Sequence, residues 1–469
     1  MERGGTQGIQ FVIQIVLACL LIPEDYGIIA LVIIFINISN VFVQSGFNTA
    51  LIQKKNVDEI DFSSVFYLSL FVAVLLYIGL FFSAPFIARF YENQLFVPVL
   101  RVLSLTLFFG AFNSIQNAVI SREMQFRKLF ISSTVAILVS GAIGIYMAYY
   151  NFGVWALVGQ QITNQLLVIL ILLYTVRWSP KFLFSFKRVK VLFSFGWKLL
   201  VSSLLTTVYM DLRSLIIGKM YNPAMLGFYN RGQQFPSIIT TNINGSIQSV
   251  LLPVLSSQQD NKQRVKDMVR RAIVTSSFLI FPMMVGLAIT AESLVKILLT
   301  DKWLPCVPFL QIFCIVYALI PIHTANLQAI NAIGRSDIFL KLEIIKRVIG
   351  FFILGVTVFY GVYAIALGQV LSGIIATFIN AHPNKVLLKY GYMEQIKDII
   401  PSLLLSLIMG LSIYSINWLE MNVWPTLIAQ ICIGIVLYMG MAWIFKLECF
   451  RYLISTSRGI FIDKKRNSF

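Results

Sequence analysis

Charge is scarce in this 469-residue chain. Lys, Arg, Asp and Glu together make up only 12% of it, and hydrophobic residues reach 58%. Soluble proteins carry about 25% charged residues. A soluble globule of this length cannot hide so much apolar surface, and the mean hydropathy of +0.82 points to a bilayer. The same composition excludes disordered and collagen-like chains. Histidine occurs only twice, at His323 and His382, far apart and without a metal-ligand constellation. The five cysteines, Cys19, Cys306, Cys314, Cys432 and Cys449, lack metal-ligand spacing. Their odd number argues against a disulfide framework. No Gly-x4-Gly-Lys-Ser/Thr loop is present, which argues against ATP hydrolysis. No cofactor and no metal are expected. The first apolar run leads into further spans rather than into a small-residue cleavage site, so no cleavable signal peptide is expected.

What the chain has in abundance is long apolar runs. Fourteen can be drawn: 6–22, 27–51, 63–88, 96–120, 129–149, 153–176, 193–218, 223–255, 268–290, 304–332, 341–360, 361–383, 399–418 and 424–445. None alternates as a barrel strand does. Backbone groups in hydrocarbon must be paired internally, so the expected fold is an all-α integral membrane protein of about 14 transmembrane helices.

Lys and Arg number 37 against 20 Asp and Glu. On a soluble protein that excess would suggest nucleic acid. With the N-terminus placed inside, 29 of the cations fall in inner loops and the tail and 5 in outer loops. Lys198, Arg213 and Arg231 remain within spans. This bias sets both termini in the cytoplasm and accounts for the basic balance without nucleic acid.

The chain repeats itself. Pro23-Glu24-Asp25-Tyr26-Gly27 matches Pro223-Ala224-Met225-Leu226-Gly227 at an offset of 200. Asn117-Ala118-Val119-Ile120-Ser121-Arg122 matches Asn331-Ala332-Ile333-Gly334-Arg335 at about 213, and Gly153-Val154-Trp155 matches Gly361-Val362-Tyr363 at 208. Three matches in the same order, at corresponding spans, mean two six-helix lobes related by a pseudo-two-fold along the membrane normal. The expected organisation is an N-terminal lobe over 1–176, a basic linker over 177–192 and a C-terminal lobe over 193–385. Two additional helices follow over 386–446, then a basic tail over 447–469.

A family resemblance rests on particular residues. Leu20-Leu21-Ile22-Pro23-Glu24-Asp25-Tyr26-Gly27 and Gln44-Ser45-Gly46-Phe47-Asn48-Thr49-Ala50-Leu51-Ile52-Gln53 carry it. So do Arg122-Glu123-Met124-Gln125-Phe126, Leu226-Gly227-Phe228-Tyr229-Asn230-Arg231, Trp303 and the turn Gly334-Arg335-Ser336-Asp337. With these the chain resembles the polysaccharide-transporter branch of the multidrug/oligosaccharidyl-lipid/polysaccharide exporter superfamily, from about residue 3 to 385. The resemblance implies a flippase for lipid-linked oligosaccharide in the bacterial cytoplasmic membrane, with two lobes around a central cavity. One departure is the first helix. Only about 17 residues, Thr6 to Ile22, can span, fewer than the resemblance implies and near the lower limit.

Ionisable residues inside spans are the sharpest functional candidates. Asp211 and Arg213 near the outer end of span seven, and Arg231 in span eight, fall roughly 10 Å below the outer surface. Asp211 can pair with Arg231 to lock the hairpin, or an arginine can face a cavity and meet an anionic head group. Lys198 can snorkel to inner phosphates or face the cavity. Polar side chains gather on span four (Asn113, Gln116, Asn117) and span six (Gln160, Gln161, Asn164, Gln165). More lie on span eight (Gln233, Gln234, Asn242, Asn244) and span ten (His323, Asn326, Gln328, Asn331). Uncharged amides suit sugar hydroxyls, and they also join helices. Arg213, Arg231, Lys198, Gln233, Gln234, Asn326, Gln161 and Asn164 are therefore the cavity candidates, and Asp211 and His323 the coupling or structural pair. His323 also fits a satisfied interior histidine. Glu24 and Asp25 fit a helix start, favoured by the N-terminal dipole.

Flipping of a polyprenyl-pyrophosphate oligosaccharide, with membrane lipid and possible polymerase or co-polymerase partners, is the leading expectation. An ion-gradient-driven exporter of small molecules is the alternative, but three in-span cations against one anion favour an anionic substrate. A membrane glycosyltransferase or polymerase would need larger outer loops, so no enzyme is expected.

Overall fold

The computed structural model describes residues 2–44, 46–54, 57–176, 178–419 and 421–451. Lys55, Arg177, the side chain of Arg3 and residues 452–469 of the expected tail lie outside what is described. Among the described residues are eighteen α-helices, three short 3-10 helices and no strand. This is the all-α membrane architecture that hydrocarbon demands.

The chain forms two compact units, Met1–Phe228 and Tyr229–Phe469. The first contains α1 (Glu2–Leu20), α2 (Pro23–Gln44), α3 (Phe47–Gln53), α4 (Glu59–Phe90), α5 (Phe96–Leu103), α6 (Thr106–Glu123), α7 (Phe126–Tyr149), α8 (Val154–Val176) and α9 (Phe186–Met220). Helix α10 (Pro223–Ser256) begins there and continues into the second unit. That unit holds α11 (Lys262–Ile289), α12 (Ala291–Leu299), α13 (Val307–Ala318), α14 (Ile320–Ala332), α15 (Ser336–Thr357), α16 (Val362–Leu387), α17 (Tyr392–Tyr414) and α18 (Val423–Ile444).

Twelve helical stretches are long and apolar enough to cross a bilayer. Helix α1, whose apolar part is Gly5–Leu20, and α15 stand outside those twelve. In α15 the apolar run is interrupted by Lys341, Glu343, Lys346 and Arg347. With these two helices the architecture is compatible with fourteen spans. Several spans are broken. Gly46, in a left-handed conformation at φ 67°, separates α2 from α3. A 3-10 turn over Asp301–Cys306 precedes α13.

Local chemistry fixes the helix starts. Glu24 and Asp25 occupy the first turn of α2, where a carboxylate of Asp25 accepts the Ile22 N–H at 3.3 Å. Asp58 caps α4, and its side chain and that of Asp61 exchange hydrogen bonds with each other's backbone N–H. Asn261 caps α11 by accepting the Arg264 N–H at 3.1 Å.

Helix α9 packs within the first unit. Gly218 lies against Leu31 and Gly46 against Gly196. The Lys219 ammonium donates to the Phe90 carbonyl at 2.6 Å and sits 3.0 Å from Glu92. The boundary between the compact units falls at Phe228. Within the first unit the two Pro-x-x-x-Gly repeats meet reciprocally. A Cβ added at Gly27 would run into the Pro223 carbonyl, and one at Gly227 into the Pro23 carbonyl. Reciprocal contact of this kind is what a local two-fold produces.

Helices α17 and α18, outside the repeat, pack on the second unit. Lys266 pairs with Glu394 at 2.8 Å and Arg270 with Asp398 at 2.9 Å, joining α11 to α17. The Tyr438 hydroxyl of α18 donates to the Phe278 carbonyl of α11 at 2.9 Å.

Candidate functional site: polar and charged groups within the spans

The spans differ in how much of their surface the protein covers. Helices α9 and α10 are the least covered of the twelve, and α10 is also the least apolar. Lys198 on α9 is exposed. Arg213 is half-buried, its guanidinium 5.6 Å from the centre of the Tyr209 ring. Asp211 is half-buried and makes no ion pair or hydrogen bond among the described residues. On α10 the run 241–249 presents Thr241, Asn242, Ser246, Gln248 and Ser249, all exposed. Asn242 and Ser246 bond to carbonyls one turn earlier, at 2.8 and 3.0 Å, which still leaves polar atoms on the helix surface. Exposed polar groups in the later half of a spanning helix need water or a polar ligand wherever they meet the hydrocarbon, which gives them no partner.

Arg231 lies at the opposite extreme, only 4% exposed within the second unit. It donates to Gln234 Oε1 at 2.5 Å and lies 5.1 Å from the centre of the Trp303 ring. The arrangement depends on the next residue. A Cβ at Gly232 would meet Phe309, Leu310 and Cys306 at 2.7–3.0 Å, so only glycine lets α10 approach α13 this closely. Gln233, one position further, donates to the Tyr317 hydroxyl at 2.9 Å. Arg231, Gln233 and Gln234 are thus gathered at one contact between α10 and the segment around α13.

Asn326 is fully buried and engaged in packing. It exchanges two amide hydrogen bonds with Gln395, at 2.8 and 3.0 Å, and accepts a third from Asn384 at 2.7 Å. These bonds tie α14, α16 and α17 together. His323 shares a 2.8 Å hydrogen bond with Thr377, between α14 and α16. It lies in the second unit and Asp211 in the first, each in its own surroundings.

In the first unit Asn164 donates to Ser140 Oγ at 3.2 Å, joining α8 to α7, and Gln160 accepts from Gln14 at 3.4 Å. Gln161 is half-buried without a hydrogen bond among the described residues. A second polar seam runs between α2, α3 and α6. Gln116 is fully buried with neither amide atom bonded among the described residues. The carbonyl oxygens of Asn40, Asn48, Asn113 and Asn117 share that condition. Such groups call for ordered water or ligand hydroxyls.

Sequence reasoning had singled out Asn113, Gln116, Asn117 and Asn242. It missed Asn40, Asn48, Thr241, Ser246, Gln248 and Ser249. A count of polar residues at 3–4 spacing along spans two and eight would have found them.

The described residues form an all-α membrane fold whose spans carry amides, hydroxyls and isolated cations. The fold is similar to that of a solved structure described as "Lipid II flippase MurJ, inward closed conformation". The two match with a TM-score of 0.77 at 18% identity over 97% of this chain and 98% of that one. A family model described as "Polysaccharide biosynthesis protein" matches residues 16–308, and the chain belongs to that family. The succinoglycan biosynthesis transport protein ExoT of Rhizobium meliloti (strain 1021) is 23% identical over 348 residues, 74% of this chain and 70% of ExoT. The lipopolysaccharide biosynthesis protein WzxC of Escherichia coli (strain K12) is 22% identical over 433 residues, 92% of this chain and 85% of WzxC.

Proposed function

We propose that this protein moves a polyprenyl-pyrophosphate-linked oligosaccharide across the bacterial cytoplasmic membrane for surface polysaccharide synthesis, with both termini in the cytoplasm. The observation that carries this reading is the exposed polar face of α10, in a chain of a polysaccharide-synthesis family. An isolated pyrophosphate-sugar head cannot enter hydrocarbon without losing its hydrogen bonds, at several kcal/mol for each polar group. Lys198 and Arg213 replace water at the pyrophosphate, since cations bind phosphate oxygens strongly. The hydroxyls and amides of α10, with Gln161, Asn164 and the Asn40–Gln116 seam, replace water at the sugar. The polyprenyl chain stays in lipid. Alternation between the two sequence-related lobes, 1–176 and 193–385, exposes the head to each side in turn. Arg231, Gln233 and Gln234 hold α10 against α13, and Asp211 is an in-span carboxyl available to couple a cation. The relatives are named as transport and biosynthesis proteins, which supports transport without bond-making. A polymerase or co-polymerase of the same pathway is the natural recipient.

The test is transport of a polyprenyl-pyrophosphate oligosaccharide in vesicles containing the purified protein. Lys198→Ala and Arg213→Ala are each expected to slow it about tenfold or more, the loss of one charge-assisted phosphate contact. Wild-type rates in both variants would remove the cations from the pathway.

A further inference from the structure

The segment between α8 and the spanning part of α9 has two unlike sides. One side is fastened to α4. The Lys181 N–H donates to Ser63 Oγ at 3.1 Å and the Ser185 N–H to Ser64 Oγ at 2.9 Å. Arg188 pairs with Asp58 at 2.5 Å and lies 3.5 Å from Asp61, while Trp178, Val189 and Leu192 are buried. The other side is open. Phe182 is 98% exposed and Phe186 73%, with Phe184, Val191 and Phe193 also exposed. Between these rings stand Lys187 and Lys190, both exposed and without a hydrogen bond or ion pair among the described residues.

A water-facing surface does not hold a row of open phenylalanines. The chain on either side supplies the reason. Helix α8 ends at Val176, and the spanning part of α9 begins at Gly196. The residues between are therefore held at the bilayer surface, on the side rich in Lys and Arg. Aromatic rings there enter the interfacial layer while lysine stems run along it and place ammonium groups among phosphates.

We propose that this open face is a binding site for anionic phospholipid. Lys187 and Lys190 hold the lipid phosphates, and Phe182, Phe184 and Phe186 anchor between the acyl chains. Because the opposite side is fastened to α4 and continues into α9, a bound acidic lipid steadies the helix that carries Lys198, Asp211 and Arg213. Protein activity then depends on the acidic-lipid content of the leaflet.

The test uses the full chain in nanodiscs of phosphatidylcholine with added phosphatidylglycerol, reading the lipids retained on gentle extraction by native mass spectrometry. Wild type is expected to retain phosphatidylglycerol over phosphatidylcholine. Lys187→Gln with Lys190→Gln should lower that retention about 25-fold, since each interfacial lysine contributes about fivefold. Melting in pure phosphatidylcholine should not change, because Arg188 and the serine contacts are untouched. Lys262→Gln, an exposed lysine at the start of α11, should change nothing. Equal retention by the double variant, or no preference in wild type, overturns the proposal. So does loss of a co-purifying protein with phosphatidylglycerol retention intact, which would assign the face to a protein. The readout is lipid binding, so its failure is distinct from a failure of oligosaccharide transport.

Discussion

Helices α4 and α11 occupy corresponding places in the two sequence repeats and meet the same difficulty with different side chains. Each has a proline in its later half, Pro85 and Pro282. A helical proline has no N–H to give to the carbonyl four residues earlier, which strands Phe81 in one helix and Phe278 in the other. In the first unit Arg101 of α5 donates Nε–H to the Phe81 carbonyl at 3.2 Å, its guanidinium 4.0 Å from the centre of that residue's ring. In the second unit the Tyr438 hydroxyl does the work from α18, outside the repeat. The starts of the helices also differ. Helix α4 opens with Asp58, Glu59 and Asp61 against Lys54, Lys181 and Arg188, whereas α11 opens with Lys266 and Arg270 against Glu394 and Asp398. The backbone requirement is shared and the chemistry that meets it is not. It follows that α17 and α18 complete the second unit.

Where the repeats do share residues, the largest effect is expected. Gly27→Val and Gly227→Val each drive a side chain into a backbone carbonyl of the partner repeat. Both should cost about 3 kcal/mol or more, the upper range for overpacking, and sharply lower the yield of folded protein. Unequal losses, read by thermal melting in detergent, would break the reciprocity of that contact.

Next come the proline carbonyls. Arg101→Leu should destabilise by about 1–3 kcal/mol, as expected when a buried acceptor loses its donor. The penalty should shrink in a Pro85→Ala background, where the backbone N–H returns. Tyr438→Phe should cost less, about 1 kcal/mol, in keeping with neutral hydrogen bonds between membrane helices. It should be relieved in the same way by Pro282→Ala. An undiminished penalty in either double variant would show that the side chain serves something other than the stranded carbonyl.

The architecture was legible because lipid allows so few solutions. Apolar runs marked the spans, and Pro-x-x-x-Gly pairs marked repeats that touch. The allocation of α9 to the first unit was not legible. It rests on Gly218 against Leu31 and Lys219 at the end of α4, contacts that no periodicity encodes. In-span polarity singled out Lys198, Arg213 and the amides as candidates, but residue type alone cannot separate Asn326, bonded to Gln395 and Asn384, from Asn242, open on α10.

The smallest effect concerns charge at the start of α4. The hydrogen bond from Arg188 holds the Asp58 carboxyl below the ordinary carboxylate range. A lowered folded value means the contact stabilises above that range and is lost as pH falls through the lowered value. The protection of residues 185–190 against hydrogen exchange, taken relative to the intrinsic rate at each pH, should therefore fall modestly on acidification below about pH 4, and more in Asp58→Asn at neutral pH. The α11 pairs offer a control that carries the opposite charge on the helix.

The central claim is that the polar face of α10 meets water and the sugar head rather than lipid. It is tested most directly by single cysteines at Thr241, Asn242, Ser246 and Gln248 in a chain cleared of its five native cysteines. The protein in vesicles is exposed to a membrane-impermeant maleimide. The account predicts labelling at these positions and slower labelling when polyprenyl-pyrophosphate oligosaccharide is added. Positions as unreactive as lipid-facing controls, or labelling indifferent to that substrate, would contradict it.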